Sequence, residues 1–249
     1  MTRALLPKWR DDWAVFLDVD GTLLRIAATP ADVRVPERVV GVLGRLHARL
    51  GGALALVSGR RIADLDALFA PLELPAAGTH GAERRDASGR WHGRDYTLQL
   101  APARELLSAW AVAHPGALLE DKGAALALHY RAIPELEDEA RRAAAAACAS
   151  AGPEFHVQAG KRVLEIKADT VGKGGAIEQF MSEPPFLGRE PVFLGDDLTD
   201  EDGFEVVNRL GGHSIAVGVR RDTCARWHLG DETEVLQWLE GCVGGGLDG

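Results

Sequence analysis

The stretch from Asp18 to Thr22 constrains the fold of this chain more than any other. It follows an apolar run at 13–17 that has the length and composition of a buried strand. The strand ends at two acids, Asp18 and Asp20, and since strand side chains alternate, both project to the same side. Two acids this close repel each other unless a cation or a proton lies between them. The stretch therefore indicates either a pair of acids with structural partners or a magnesium site, in which one acid attacks and the other moves a proton.

The composition is that of a globular protein with a surplus of acids. The 249 residues include 37 acidic and 28 basic side chains, and the formal net charge of −9 argues against a nucleic-acid or anionic membrane partner. Cys148, Cys224 and Cys242 are widely spaced and form neither a disulfide framework nor a zinc pattern. We find no signal peptide and no apolar run of membrane-spanning length. We therefore expect a cytoplasmic protein with reduced thiols.

Strand and helix patterns alternate at both ends of the chain. The predicted strands are 13–17, 53–57, 74–78, 191–194 and 214–219, and the predicted helices are 36–50, 62–69, 171–180 and 232–239. This alternation predicts a parallel sheet covered by helices. The carboxyl ends of such strands form one crevice, where ligands bind.

The order changes in the middle of the chain to helix, strand, strand, repeated once. After an exposed turn at 83–90, we predict helices at 102–113 and 134–150 and strands at 117–122, 124–130, 154–158 and 162–167. This order predicts a small α+β insert with a faint internal duplication. The predicted domains are therefore 1–83 and 169–249 for the parallel-sheet part and 84–168 for the insert.

Polar loops follow three of the predicted parallel strands. Their side chains are, in chain order, Asp18 and Asp20, then Ser58, then Asp196, Asp197 and Asp200. Besides Lys173 and Arg60, few basic residues are available to neutralise these carboxylates. A divalent cation such as Mg²⁺ is the simplest way to offset their repulsion. Each piece alone has an ordinary explanation, such as a turn, a helix cap, a surface lysine or a solvated acidic loop. All four pieces occur in sequence, and three of them lie at the ends of predicted strands, which favours a functional site.

Taken together, these motifs resemble the haloacid dehalogenase-like phosphatase superfamily. The matching residues are Asp18-Val19-Asp20-Gly21-Thr22, Ser58, Lys173 and Gly195-Asp196-Asp197-Leu198-Thr199-Asp200. The resemblance covers nearly the whole chain, including a large insert between the second and third motifs. It implies an α/β fold: a Rossmann-like parallel-sheet core with an inserted α+β cap domain.

The resemblance also implies roles for these residues. Asp18 is expected to be the nucleophile that becomes an aspartyl phosphate, and Asp20 the acid and base. Ser58 and Lys173 are expected to bind the phosphoryl oxygens. The groups expected to hold the magnesium cofactor are Asp18, the backbone carbonyl of Asp20 and Asp196, with Asp197 and Asp200 holding the metal, its waters or Lys173. Which of these three late acids ligate the metal directly stays open.

The predicted strands of the insert carry one charged face. Its residues are Glu120, Lys122, His129, Lys161, Glu165 and Lys167. The ordinary explanation is a solvated face of an antiparallel sheet. The functional explanation is a lid whose donors and acceptors bind sugar hydroxyls and so reject substrates that lack them.

Here the resemblance narrows to the bacterial trehalose-6-phosphate phosphatases, a family within that superfamily. The matching stretches are 78–85, 120–123, 128–131, 160–167, 192–201 and 206–212. The resemblance implies that Glu120, Lys122 and Glu165 contact the glucose unit distal to the phosphate. It includes His80 and His129 among the substrate-binding residues, although both, like Asn208, are equally well explained as structural polar residues. These residues complete the predicted substrate site.

The resemblance therefore implies a magnesium-dependent phosphatase that hydrolyses trehalose 6-phosphate to trehalose and phosphate. Its partner would be this small molecule, without a nucleic acid or a membrane. The oligomeric state stays open, with a monomer among the choices. One alternative is the same chemistry on another sugar phosphate. A second is a phospho-acceptor signalling domain, which the second acid at Asp20 and the large insert both disfavour.

Overall fold

The structure is a computed structural model that describes residues 6–26, 33–93, 96–160, 162–168, 172–218 and 222–244. The chain divides into two compact units. The larger unit comprises Met1–His92 and Gly172–Gly249, and the smaller unit comprises Gly93–Val171. The predicted insert, 84–168, begins nine residues before the smaller unit and ends three residues before its end, and its assignment as a cap stays a prediction. Lys161, Val171 and Val219, which fall in predicted elements, lie outside the described residues.

The secondary structure alternates strands and helices along most of the chain. The strands are β1 (Trp13–Leu17), β2 (Leu54–Val57), β3 (Ala76–Gly78), β4 (Glu83–Arg85), β5 (Trp91–Gly93), β6 (Leu118–Asp121), β7 (Ala125–His129), β8 (Phe155–Gly160), β9 (Val163–Ala168), β10 (Glu190–Gly195), β11 (His213–Val217) and β12 (Trp227–Leu229). The helices are α1 (Glu37–Arg49), α2 (Ile62–Phe69), α3 (Thr97–Ala113), α4 (Glu137–Ala151), α5 (Lys173–Met181), α6 (Glu201–Arg209) and α7 (Glu232–Gly244). Within the described ranges, short 3-10 turns also occur at Thr79–Gly81, Pro134–Leu136 and Leu198–Asp200.

The larger unit is built on a mostly parallel sheet with the strand order β12-β11-β10-β1-β2-β3-β4-β5. Neighbours from β12 to β3 are parallel, and β4 runs antiparallel to β3. Leu17 of β1 pairs with Leu194 of β10 and with Leu56 of β2. Because these three central strands end in line, the loops that follow them start at the same edge of the sheet. The predicted α/β fold with a parallel-sheet core is confirmed.

The core of this unit lies on both faces of β1, whose five residues are all fully buried. A strand buried on both faces needs a continuous apolar run rather than an alternating one, as the sequence has here. Phe16 packs against Phe180 and Phe186, with ring centroids 5.9 and 5.5 Å away. Each such side chain stabilises the fold by about 1.5–3 kcal/mol when fully buried. The packing holds the central strands rigidly beneath the polar loops.

The expectation of an exposed turn at 83–90 is wrong for its first residues. Arg84 and Arg85 lie in β4 and are buried. Arg84 pairs with Glu183, and Arg85 donates to both carboxylate oxygens of Asp66 at 2.6 and 2.7 Å. A guanidinium can be buried when carboxylates satisfy its donors, which a local charge pattern does not reveal.

The start of one helix and the number of strands in the larger sheet also differ from the prediction. Helix α3 begins at Thr97, more than a turn before Pro102, where we expected it to start. Leu100, in that extra turn, is fully buried, so tertiary packing extends the helix beyond the proline. The strand β11 is not the last one, because β12 pairs with it in parallel.

The smaller unit contains an antiparallel sheet with the order β6-β7-β9-β8 and the helices α3 and α4, which contact each other. The apolar residues Leu126, Leu128, Leu164 and Ile166 are buried, as expected for a face that packs on helices. The opposite face is not simply solvated, because Glu165 and Lys167 are also buried. In the described part of the chain, no helix is both long enough and apolar enough to cross a lipid bilayer.

Candidate active site

The pairing of β1 with β10 brings together the acids that follow these strands. The backbone N–H of Asp18 donates to the carbonyl of Leu194 at 3.0 Å, so the parallel pairing continues past the end of β1. One carboxylate oxygen from each of Asp18, Asp196 and Asp200 lies within 4.8 Å of the other two. Three acids from two loops therefore share a space of the size that a single cation can bridge.

Lys173 lies between two of these acids. Its Nζ donates to Oδ1 of Asp18 at 2.7 Å and to Oδ1 of Asp200 at 2.6 Å, and the residue is only 3% exposed. Burial alone would lower the pKa of Lys173, but the two carboxylates outweigh it and raise the pKa above its ordinary value. The lysine is therefore a fixed positive charge in contact with the Asp18 carboxylate.

Asp200 is fully buried, and hydrogen bonds hold both of its carboxylate oxygens. Oδ1 accepts from Lys173, while Oδ2 accepts from the backbone N–H groups of Asp196 and Asp197 at 3.0 and 2.9 Å. Gly195 makes this close approach possible, because a Cβ there would lie 2.3 Å from Cγ of Asp200. Asp200 thus fixes the loop that carries Asp196. The Asp197 carboxylate accepts from the next backbone N–H at 2.6 Å and caps the turn.

The remaining charge of the cluster is negative. Burial raises the pKa of Asp18 well above its ordinary value, with Lys173 opposing and the other acids adding to the shift. Burial, followed by the neighbouring Asp200, raises the pKa of Asp196 to about 6. One lysine does not balance three carboxylates, so a divalent cation would relieve the cost of ionising them. Gly21 leaves room for this cluster, because its φ is +90° and a Cβ there would lie 2.1 Å from Oδ2 of Asp196.

Asp20 faces Arg60 rather than Lys173. Nε of Arg60 donates to Oδ2 of Asp20 at 2.6 Å, and Nη2 donates to Oδ1 at 2.7 Å. Ser58 follows β2 and is buried, and its Oγ accepts from the backbone N–H of Arg60 at 3.2 Å. The predicted acid and base and the predicted phosphate-binding serine are therefore both bonded to one residue. From the sequence, Arg60 was predicted only as a positive charge near the acids. Its position two residues after Ser58 is the signal that could have placed it in the site.

His80 lies beside Ser58 in the larger unit. Its backbone N–H donates to the carbonyl of Ser58 at 2.9 Å, and its ring covers Gly59, where a Cβ would lie 2.6 Å from Nε2 of the histidine. Thr79 and His80 have φ values of 49° and 54°, in the left-handed region that residues other than glycine rarely adopt. Strained backbone of this kind is frequent at functional sites. The structure therefore places His80 beside Ser58 within the larger unit, and its role toward the substrate stays a prediction.

Those other residues form two ion pairs in the smaller unit. Nζ of Lys122 donates to Oε1 of Glu165 at 2.9 Å, and their side chains are 14% and 8% exposed. Nε2 of His129 lies 3.0 Å from Oε2 of Glu120, and this second pair is exposed. The hydrogen bond with His129 lowers the pKa of Glu120. Ala127 pairs with both Glu120 and Glu165 across three adjacent strands, so a small residue separates the two acids.

Two further polar groups have structural explanations. Asn208 accepts from Ser214 and donates to the carbonyl of Cys224, so it joins two parts of the larger unit. Among the described residues, Asp86, His92 and Glu183 form a second group with metal-ligand spacing. Asp86 is bonded to His92 and to the backbone of its own turn, and Glu183 is paired with Arg84.

Comparison with known proteins agrees with this fold. The C-terminal domain of a trehalose-6-phosphate phosphatase from Candida albicans has the same fold, with a TM-score of 0.77 and 24% identity over 93% of this chain and 92% of that one. A likeness at this level of identity shows the fold, a mostly parallel sheet whose chain carries a second, inserted unit.

The sequence comparisons are more specific. The sequence model of the trehalose-phosphatase family matches residues 16–233. The trehalose-6-phosphate phosphatase of Escherichia coli K12 is 46% identical over 242 residues, which cover 94% of this chain and 88% of that protein. A Sinorhizobium fredii protein named probable trehalose-phosphate phosphatase is 47% identical over 208 residues, covering 84% of this chain and 78% of that protein. The chain belongs to the trehalose-phosphatase family.

Proposed function

We propose that this enzyme is a magnesium-dependent phosphatase that hydrolyses trehalose 6-phosphate to trehalose and phosphate through a phosphorylated Asp18. The single observation that carries the chemistry is the contact of the buried Asp18 carboxylate with Lys173 inside a cluster that keeps a negative surplus. The substrate is proposed because the relatives are named for activity on this compound. The negative net charge of the chain and its three free cysteines support a cytoplasmic enzyme without a nucleic-acid or membrane partner.

The donor set supports magnesium, and the hydrogen bonds suggest which acids bind it. Both oxygens of Asp200 already accept N–H groups, which argues against Asp200 as a direct ligand. We therefore assign Asp18, Asp196 and the backbone carbonyl of Asp20 as the ligands, with Asp197 and Asp200 shaping the loop. When bound, Mg²⁺ supplies positive charge that offsets the carboxylates and the phosphoryl oxygens.

The proposed reaction has two steps. A carboxylate oxygen of Asp18 attacks phosphorus, the bond between phosphorus and the sugar oxygen breaks, and Asp20 gives its proton to that oxygen. Water then attacks the phosphoryl group on Asp18, Asp20 takes a proton from this water, and phosphate leaves. Lys173 and Ser58 bind the phosphoryl oxygens and stabilise the charge in both transition states.

The smaller unit supplies groups suited to a sugar. Lys122 and Glu165 form a largely buried pair that is neutral overall, and Glu120 and His129 form a second pair on the same sheet. Such groups can exchange one partner for sugar hydroxyls, and a substrate without matching hydroxyls would leave them unsatisfied. We propose that these four residues select the disaccharide.

The test is phosphate release from a panel of sugar phosphates and one aryl phosphate, with magnesium and after chelation. We expect the highest kcat/KM for trehalose 6-phosphate, loss of activity on chelation and recovery when magnesium is restored. Equal kcat/KM for glucose 6-phosphate would contradict the assigned substrate. Unchanged turnover after complete chelation would contradict the role of magnesium, whatever the substrate.

A further inference from the structure

We infer that Arg60 is a positioning residue that fixes the carboxylate plane of Asp20, and with it the direction in which Asp20 gives and takes its proton. This inference rests on the proposed function, because it assigns a task to Arg60 within the same reaction. It concerns a residue that the chemistry outlined above does not use.

The geometry of the pair carries the argument. Both carboxylate oxygens of Asp20 accept from one guanidinium, at 2.6 and 2.7 Å. A bidentate contact of this kind fixes the plane of the carboxylate as well as its distance, which a lysine or a single hydrogen bond does not. A carboxylate has about four lone-pair sites, so the two that Arg60 leaves are available for proton transfer in a defined direction.

Arg60 is itself held from two sides. Its backbone N–H donates to Oγ of Ser58 at 3.2 Å, and its carbonyl accepts from the backbone N–H of Thr79 at 2.8 Å. The Arg60 side chain is 13% exposed and that of Asp20 is 35% exposed, so the guanidinium is largely buried while one side of the carboxylate stays accessible. The same residue therefore connects the end of β2, the Thr79–Gly81 turn and the loop after β1. An anchored guanidinium can transmit a fixed orientation to Asp20, whereas a free surface arginine cannot.

The chemistry gives this role a specific consequence. A sugar alkoxide is a poor leaving group and needs the proton from Asp20, whereas a nitrophenolate leaves without one. An error in the orientation of Asp20 should therefore slow phosphoryl transfer to Asp18, the step that kcat/KM reports, far more for a sugar phosphate than for an aryl phosphate. The later attack of water needs Asp20 with either substrate, so it is not the step compared. A role of Arg60 in binding the phosphoryl group, or in the fold alone, would slow both to the same extent.

The experiment measures kcat and KM of the magnesium-loaded enzyme on trehalose 6-phosphate and on p-nitrophenyl phosphate. For Arg60→Met we expect kcat/KM on the sugar phosphate to fall by about 10- to 100-fold, with kcat/KM on the aryl phosphate changed by less than about threefold. Arg61→Met is the matched control, since Arg61 is exposed and contacts Asp64 on its own helix, and it should change neither rate. Asp20→Asn combined with Arg60→Met should be no slower than Asp20→Asn alone, because Arg60 acts through Asp20.

Several results would overturn the inference. Equal losses of kcat/KM on both substrates would show that Arg60 acts on the phosphoryl group or on the fold. Additive losses in the double variant would do the same. If Arg60→Met does not fold, Arg60→Lys keeps the charge without the fork and must still slow the sugar phosphate selectively. If the wild type hydrolyses another alkyl phosphate and not trehalose 6-phosphate, the assigned substrate is wrong, and the same comparison is made on that alkyl phosphate.

Discussion

Each of the two units contains a lysine that is bonded to a carboxylate, and the surroundings of the two lysines differ. Lys173 in the larger unit contacts two carboxylates, and a third lies close by, so its cluster keeps a negative surplus. Lys122 in the smaller unit contacts Glu165, and this pair is neutral. Carboxylates in excess of the lysine can bind a metal ion, whose charge then offsets that of a phosphate ester. A neutral pair of side chains suits an uncharged sugar. Under the proposed function, the Lys173 cluster carries out phosphoryl transfer and the Lys122 pair selects the sugar. Substitutions in the first should lower the rate on every substrate, and substitutions in the second should lower it only on the sugar phosphate.

The largest expected effect is on the nucleophile. Asp18→Asn should reduce turnover on both trehalose 6-phosphate and p-nitrophenyl phosphate by at least about 10⁴-fold, because the amide cannot form the phosphorylated intermediate. Steady-state kinetics measures this, and circular dichroism checks the fold. Asp197→Asn is the control, since that carboxylate caps a turn, and it should retain most activity. Substantial turnover by Asp18→Asn would contradict the covalent route.

The next effect is on stability, and it compares the two lysines directly. Lys173→Met leaves Asp18 and Asp200 buried without their shared cation, which should lower the free energy of unfolding by about 3–5 kcal/mol. Lys122→Met removes one partner of a single carboxylate, Glu165, and it should cost about 1–3 kcal/mol. Urea denaturation without magnesium measures both. Equal costs would mean that the surplus of acids around Lys173 does not matter for stability.

The third prediction separates stability from selection in the smaller unit. Glu165→Gln should reduce kcat/KM for trehalose 6-phosphate by about 10- to 100-fold and leave p-nitrophenyl phosphate nearly unchanged. Replacing both partners, as Lys122→Met with Glu165→Leu, should recover most of the stability that Lys122→Met loses, because no buried charge is left unpaired. The double variant should not regain selectivity for the sugar. Equal losses on both substrates would contradict the assignment of this pair to the disaccharide.

The smallest effect is expected for the exposed pair. Glu120→Gln removes a contact with His129 at a half-exposed position and should change the free energy of unfolding by less than about 1 kcal/mol. The pKa of Glu120 is lowered in the fold, so its contribution is present above the ordinary glutamate pKa and fades as the pH falls through the folded value. Denaturation at pH 7 and at low pH measures this contribution. A cost as large as that of Lys122→Met would mean that the pair is not the solvent-screened contact described above.

The sequence predicted those features that depend on local patterns. Continuous apolar runs identified β1, β2 and β10, and the acids after them had to meet because parallel strands end at one edge. The proximity of Asp18 and Asp196 follows from this reasoning, and the structure places them in one cluster. A parallel sheet thus turns positions far apart in the chain into neighbours, and the pattern of the chain alone reveals which ones.

Features that depend on distant partners were not predictable in this way. Arg84 stands in a charged run of the sequence, and its burial is explained by distant residues: it pairs with Glu183, donates to Gln179 and lies over the ring of Phe180. The distinct tasks of Asp196 and Asp200 depend on which oxygen accepts which backbone N–H, and spacing carries no such information. The bond of Arg60 to Asp20 joins two loops that follow different strands, so neither loop reveals it alone.

The pairing of β1 with β10 has a consequence for folding during synthesis of the chain. Lys173 follows Asp18 by 155 residues, which a ribosome adds over on the order of ten seconds. During that interval β1 and its neighbour β2 have been synthesised, but β10, the neighbour of β1 on the other side, has not. A nascent polypeptide that stops before Lys173 holds the Asp18 carboxylate without this counter-charge. Until β10 has been made, one side of β1 is an unpaired strand edge, of the kind that can pair with other chains.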